Sequence, residues 1–189
     1  IDRFPDQPRN QLLHADILLR QGKAKQALPY AEKLWSSHQN PISAQLLGRI
    51  HLVMGNNDKA IALLEKASES GTNSALVSLL THAYQQQGKY DKAIQILSHR
   101  LQQAPDDQAA LFKLATIYQL QQRYPLAIEQ YEKLRSKQPK NAVVWNNLAW
   151  LYQIQQDGRS LEYAKEALRL APNRPDIKDT LGWILLQHG

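Results

Sequence analysis

Leucines and tyrosines return along this chain at a nearly constant interval. Leu80, Leu114, Leu148 and Leu181 step by 34, 34 and 33 residues, and Tyr84, Tyr118 and Tyr152 by 34 each time. Tyr90 and Tyr124 are again 34 apart, and Pro105, Pro139 and Pro172 follow at 34 and 33. Four ladders sharing one period mark an internal repeat, in which each unit covers an apolar face of its neighbour. The chain is rich in Leu, Ala, Gln, Lys and Glu, which favour helix, and its β-branched residues do not cluster. Upstream the pattern fades but keeps register, with Gly22, Gly55 and Gly88 at intervals of 33. The prediction is a series of helical units. Proline breaks the chain between them, since it cannot continue a helix.

A 34-residue period with these residue types resembles the tetratricopeptide-repeat family. In a repeat numbered 1 to 34, that family places an aromatic at 4, Leu at 7, Gly or Ala at 8, Tyr at 11, Gly at 15, Tyr at 17, Ala at 20 and Pro at 32. Residues 108–141 carry Leu114, Ala115, Tyr118, Tyr124, Ala127, Tyr131 and Pro139 in this frame. From 142 onward come Trp145, Leu148, Ala149 and Tyr152, then the loss of one residue near Asp157 and Gly158, then Ala167 and Pro172. The frame divides a single array, 1–189, into units 8–40, 41–73, 74–107, 108–141 and 142–174 with a half unit at 175–189. The resemblance implies an all-α fold: a right-handed superhelix, or α-solenoid, of about five and a half helix-turn-helix repeats and about 11 helices. First helices would line its concave side.

Each position has a physical reason. Small residues at 8 and 20 (Gly48, Ala60, Ala93, Ala115, Ala127, Ala149, Gly182) let paired helices approach closely, and large ones fill the seam around them. Glycine at 15 ends the first helix in a left-handed conformation that costs other residues about 1 kcal/mol or more. Gly22, Gly55, Gly88, Gly158 and Gly189 are expected at inner turns, Gly48 and Gly182 at helix contacts, and Gly71 at a helix end. Pro29 falls inside a predicted second helix, where it calls for a kink or a late start.

Composition narrows the chemistry. The net charge is +6 with a pI near 9.5, but no run of five like charges forms a nucleic-acid tract, so nucleic acid is not an expected partner. No cysteine is present, which removes disulfides, thiolate catalysis and Cys-based metal sites. The six histidines form no i, i+4 pair, and no nucleophile elbow, phosphate loop or dinucleotide fingerprint occurs. Asp176 and Asp179 share a helical face, but acidic residues in a first turn are explained by the helix dipole. The expectation is a non-enzyme without cofactor, metal or membrane span in this stretch. Because the chain begins at Ile1 and ends at Gly189, it is expected to be a piece of something longer.

The resemblance also implies where a partner would sit. Concave positions of the first helices fall on Arg49, His82, Gln86, Phe112, Lys113, Thr116, Asn146, Asn147, Trp150, Gln153, Asp179 and Trp183, with Arg9, Asp16 and Arg20 in the first unit. The Lys and Asn clamp of chaperone-binding relatives is absent, because the ninth positions hold Asp16, Arg49, His82, Thr116, Trp150 and Trp183. Trp150 and Trp183 either offer rings to a sugar or partner or pack within the array, whereas Trp145 is expected in the core.

The stretch Trp145-Asn146-Asn147-Leu148-Ala149-Trp150-Leu151-Tyr152, the shortened turn, and Asp179-Thr180-Leu181-Gly182-Trp183 are also similar to the C-terminal region of bacterial tetratricopeptide lipoproteins associated with exopolysaccharide and exosortase (PEP-CTERM) systems. That likeness implies a periplasmic, outer-membrane-associated scaffold, with a cytoplasmic location as the alternative. The function expected is a protein-binding scaffold holding a peptide or partner protein. Its alternatives are a carbohydrate-binding module touching the exported polysaccharide and an array that self-associates through its truncated last repeat.

Overall fold

The computed structural model describes residues 7–69 and 73–188, so Gly71 and Gly189 lie outside the described residues. Among them are eleven helices and no strand. The helices are α1 (Pro8–Arg20), α2 (Ala24–Ser37), α3 (Pro41–Val53), α4 (Asn57–Glu69), α5 (Ser74–Gln86), α6 (Tyr90–Gln103), α7 (Gln108–Leu120), α8 (Tyr124–Lys137), α9 (Ala142–Ile154), α10 (Ser160–Leu170) and α11 (Pro175–His188). The chain divides into two compact units, Ile1–Arg100 and Leu101–Gly189.

Local chemistry sets where the first helices begin. Asn40 accepts from the backbone N–H of Ile42 and Ser43, both at 3.0 Å, and Asn73 accepts from Leu76 at 2.9 Å. Asp107 caps Ala110 at 3.1 Å and Asn141 caps Val143 at 3.1 Å. Each such oxygen satisfies a helix-start N–H that has no partner inside the helix, typically for about 1 kcal/mol. The second helices α2, α8 and α10 have no such side-chain cap.

Inside Ile1–Arg100, α1 packs on α2 and α3 on α4, α2 and α4 cover the following first helices, and α1, α3 and α5 touch in sequence. Ala15, Ala27, Ala31, Ala44 and Ala60 are fully buried at these contacts. Gly48 is the tightest point. A Cβ there would lie 2.8 Å from the Leu64 side chain, so the two helices meet only because none exists.

Inside Leu101–Gly189, α7 packs on α8, α9 on both α8 and α10, and α11 rests on α9 and α10. Leu148, Ala149, Leu151, Ala164 and Ile184 are fully buried in its core. Gly182 was expected at a helix contact, yet nothing comes within 4 Å of where its Cβ would be. No following helix faces α11 among the described residues, so the crowding that demands a small residue is absent.

The inner turns repeat one backbone shape with different residues. Gly22, Gly55 and Gly88 have φ of 74°, 75° and 68°, and the same register position is taken by Gln122 (56°) and Gln156 (54°). Gly158 therefore lies in its turn without holding the left-handed seat, two residues after Gln156. The lost residue brings Ser160, fully buried, to the place of Ala127, and α10 begins there, with 11 residues against 14 in α8. Pro29 does not delay its helix, which runs from Ala24 to Ser37 around it. The carbonyl it deprives of a partner is that of Lys25, on the exposed face where water serves.

Candidate functional site

The first-helix positions singled out by sequence meet different fates in the two compact units. In Ile1–Arg100, Asp16 on α1 accepts from Arg20 Nε at 2.7 Å and from Arg49 Nη1 of α3 at 3.1 Å. Burial acts to raise the Asp16 pKa, but the two guanidiniums outweigh it and hold the carboxyl below its usual range. Arg20 stays largely in solvent (76% of its side chain exposed) and Arg49 is half-exposed at 43%. Beside them lies an open hollow of about 360 Å³ lined by Leu19, Arg20, Arg49, Leu52, Val53, Leu79 and His82. The hollow thus joins Arg49 and His82, while Gln86 lies exposed farther along α5. Its aliphatic part, Leu52, Val53 and Leu79, was not among the residues expected from sequence. Val53 at the end of α3 is 64% exposed, which only the folded chain reveals.

In Leu101–Gly189 the corresponding side chains are tied into the protein itself. Asn147 Nδ2 on α9 donates to the Tyr131 hydroxyl of α8 at 3.0 Å, and that hydroxyl lies 3.1 Å from Thr116 Oγ1 on α7. Thr116 in turn donates to the Phe112 carbonyl at 2.9 Å. One directional chain satisfies all four groups: the Asn147 amide, the Tyr131 O–H, the Thr116 O–H, then the backbone oxygen. Phe112 also sets its ring edge against Tyr131 at 5.7 Å. Burial pushes the Tyr131 phenol up from its ordinary value. Sequence reasoning placed Tyr131 in the frame as core and missed its polar role. The available signal was a hydroxyl in a column otherwise filled by Ala31, Leu64, Leu97 and Ala164.

The other expected residues of this unit are scattered. Lys113 is half-buried, and burial pulls its ammonium pKa down. Asn146 has a buried Oδ1 without a hydrogen-bond partner. Gln153 accepts from Ser160 Oγ at 2.7 Å. Trp150 is half-buried with its ring edge-on to Tyr124 at 5.9 Å, and Trp183 packs on the same core. Asp179 is exposed on α11. Trp145, expected in the core, is only half-buried: it donates Nε1 to the Pro139 carbonyl at 2.8 Å and lies against Tyr163 at 4.7 Å.

The seams between hairpins carry a repeated polar joint. Tyr84 donates to Glu65 of the preceding unit, and Tyr152 donates to Glu132 at 2.8 Å, one period pair later. Tyr163 adds a second donor to Glu132 at 3.0 Å, and Arg135 Nε binds its other oxygen at 2.7 Å. Burial works to raise the Glu132 pKa, but these donors win and keep it below the usual range. Burial and the Glu65 carboxylate push Tyr84 up to about 12. Where Tyr84 and Tyr152 stand, the repeat 41–73 has His51, whose Nδ1 is buried without a partner, and burial lowers its pKa. Among the described residues no three His, Asp or Glu gather into a metal-holding group, and no helix is long and apolar enough to cross a membrane.

Residues 84–151 match a tetratricopeptide-repeat family model, and residues 20–100 match the model for subunit 3 of the anaphase-promoting complex, or cyclosome. No curated protein matches the chain. Among solved structures it is similar to YrrB, described as a TPR protein with an unusual peptide-binding site, at 17% identity over 95% of this chain and 94% of that one (TM-score 0.71). It is also similar to the MamA fragment from residue 41 to the end from Desulfovibrio magneticus RS-1, at 17% identity over 90% and 98% (TM-score 0.75). The thermophilic TPR protein TTC0263 of Thermus thermophilus gives 19% identity over 95% and 100% (TM-score 0.66). Identities this low establish the fold: an all-α tetratricopeptide solenoid.

Proposed function

We propose that this tetratricopeptide array is a non-catalytic scaffold whose first-helix faces hold an extended peptide or a segment of a partner protein. One observation carries the reading: on the first-helix face of residues 1–100, α1, α3 and α5 leave an open, mixed aliphatic and cationic hollow instead of a closed packing surface. An open trough favours binding over catalysis, which needs a closed constellation of reacting groups. The peptide-binding site named for YrrB, a protein of the same fold, lends support by analogy.

The reading is tested by selecting a phage-displayed random peptide library on the chain and measuring recovered peptides by calorimetry. Arg49→Ala or Trp150→Ala is expected to weaken them about tenfold, the loss typical of removing an anchoring side chain. Unchanged affinity in both variants removes the first-helix faces from the account.

The wider setting we assign is a bacterial envelope, with the chain on the periplasmic side of the outer membrane in an exopolysaccharide synthesis or export assembly. It rests on the run Trp145 to Tyr152, the shortened turn before Ser160, and Leu181-Gly182-Trp183. A gene neighbourhood free of polysaccharide synthesis and export functions defeats this setting. A second reading, self-association through α11, is favoured by the exposure of Leu185 (48%) and Leu186 (82%). A sedimentation profile that stays monomeric at high concentration removes it. Direct contact with a polysaccharide through Trp150 and Trp183 has less behind it, since both rings are half-buried against the core.

A further inference from the structure

We infer that the hollow of residues 1–100 recognises an acidic side chain within a passing peptide, seated on Arg20 and Arg49 with aliphatic neighbours against Leu52, Val53 and Leu79. This rests on the peptide-binding reading and specifies the chemistry of its ligand.

Charge is the first argument. Two guanidiniums share one carboxylate, Asp16, so the trio carries a surplus positive charge. No acidic residue lines the hollow itself. Each arginine spends one N–H on Asp16, at Nε in Arg20 and at Nη1 in Arg49, leaving further donors on a planar fork suited to carboxylate.

Shape is the second argument. The hollow is open, and its aliphatic side chains come from three helices, Leu19 from α1, Leu52 and Val53 from α3 and Leu79 from α5. Val53 is 64% exposed, an apolar surface awaiting cover. An acid flanked by leucines along a continuing chain uses both walls at once. A chain ending in its own carboxylate leaves one wall bare. The occupant is therefore an internal Asp or Glu, with hydrophobic residues on either side.

The test is an NMR titration of the full chain with a hexapeptide capped at both ends, carrying one aspartate between leucines. Shifts are expected at the methyls of Leu52, Val53 and Leu79 and at the Nε–H groups of Arg20 and Arg49. The asparagine analogue is expected to bind about fivefold more weakly, as is the aspartate peptide to Arg49→Gln or Arg20→Gln. Asp16→Asn removes the competing carboxylate and is expected to tighten binding, a result that a merely misfolded variant cannot give. Raised salt weakens the aspartate peptide more than its analogue. Equal binding of the asparagine peptide overturns the assignment, as does weaker binding to Asp16→Asn. So does stronger binding at these residues by an uncapped peptide whose only acid is its terminus. Library peptides that need Arg49 or Trp150 but carry no acid sink this assignment and leave the scaffold reading standing. If both kinds of peptide ignore both residues, the two readings fall together.

Discussion

The two compact units build the same hairpin from different side-chain economies. In residues 1–100 the left-handed inner turns are glycines and the column opposite the first helices is hydrocarbon, Ala31, Leu64 and Leu97. Gln11, Ser43, His51 and Thr81 are buried on the first helices there, whereas Arg20 and Arg49, paired with Asp16, and His82 line the open hollow. In residues 101–189 the turns are glutamines, and Tyr131 replaces hydrocarbon in the column. Its hydroxyl draws Asn147 and Thr116 into the fold. A first-helix polar side chain is thus left unengaged only where the helix behind it makes no claim on it, and one inward hydroxyl ties two such side chains into the fold.

The sharpest way to break this comparison uses two glycines at equivalent positions. Gly48→Leu drives a branched side chain into Leu64 and is expected to destabilise residues 1–100 by about 3 kcal/mol. Gly182→Ala meets open space and should stabilise α11 by up to about 1 kcal/mol through helix propensity. Thermal melts with hydrogen exchange read both, and similar losses at the two sites contradict the packing described. Next in size is Tyr131→Phe, which takes the acceptor from the Asn147 amide, while the exposed Thr116 hydroxyl keeps its bond to the Phe112 carbonyl. A loss of about 1–2 kcal/mol is expected in chemical denaturation. A neutral result means the relay contributes nothing to stability and both side chains are free for a ligand. The smallest effect lies at the turns. Gln122→Gly and Gln156→Gly relieve left-handed strain and should each stabilise by less than about 1 kcal/mol, whereas Gly55→Gln should destabilise by a similar amount. Matching signs in the two exchanges would show that the turns are not equivalent.

Much of the fold is legible in the sequence. The Leu, Tyr and Pro ladders lead to an all-α solenoid, with eleven helices among the described residues, because burial of one face per period leaves a trace at every turn of the repeat. The exceptions have local causes. Pro29 is tolerated because the carbonyl it orphans faces water. No described helix faces Gly182, so nothing comes within 4 Å of where its Cβ would be. Gly158 looked like the turn glycine, but the deletion falls after Gln156, so the left-handed seat stays in register on glutamine. The site was less legible. Arg49 and His82 do share a hollow, but the aliphatic residues beside them were passed over. Thr116 and Asn147, read as free groove residues, are partners of a buried tyrosine.

The sequence alone determined the period, the helical class and the close approach at Gly48. These depend on interactions within a few residues or on a spacing that repeats. Tertiary structure decided which polar side chains remain available: Arg20 and Arg49 around Asp16 in one unit, against Asn147 and Thr116 spent on Tyr131 in the other. A hydrogen bond between helices is won by the donor and acceptor that arrive within about 3 Å of each other, and a one-dimensional repeat does not specify that distance.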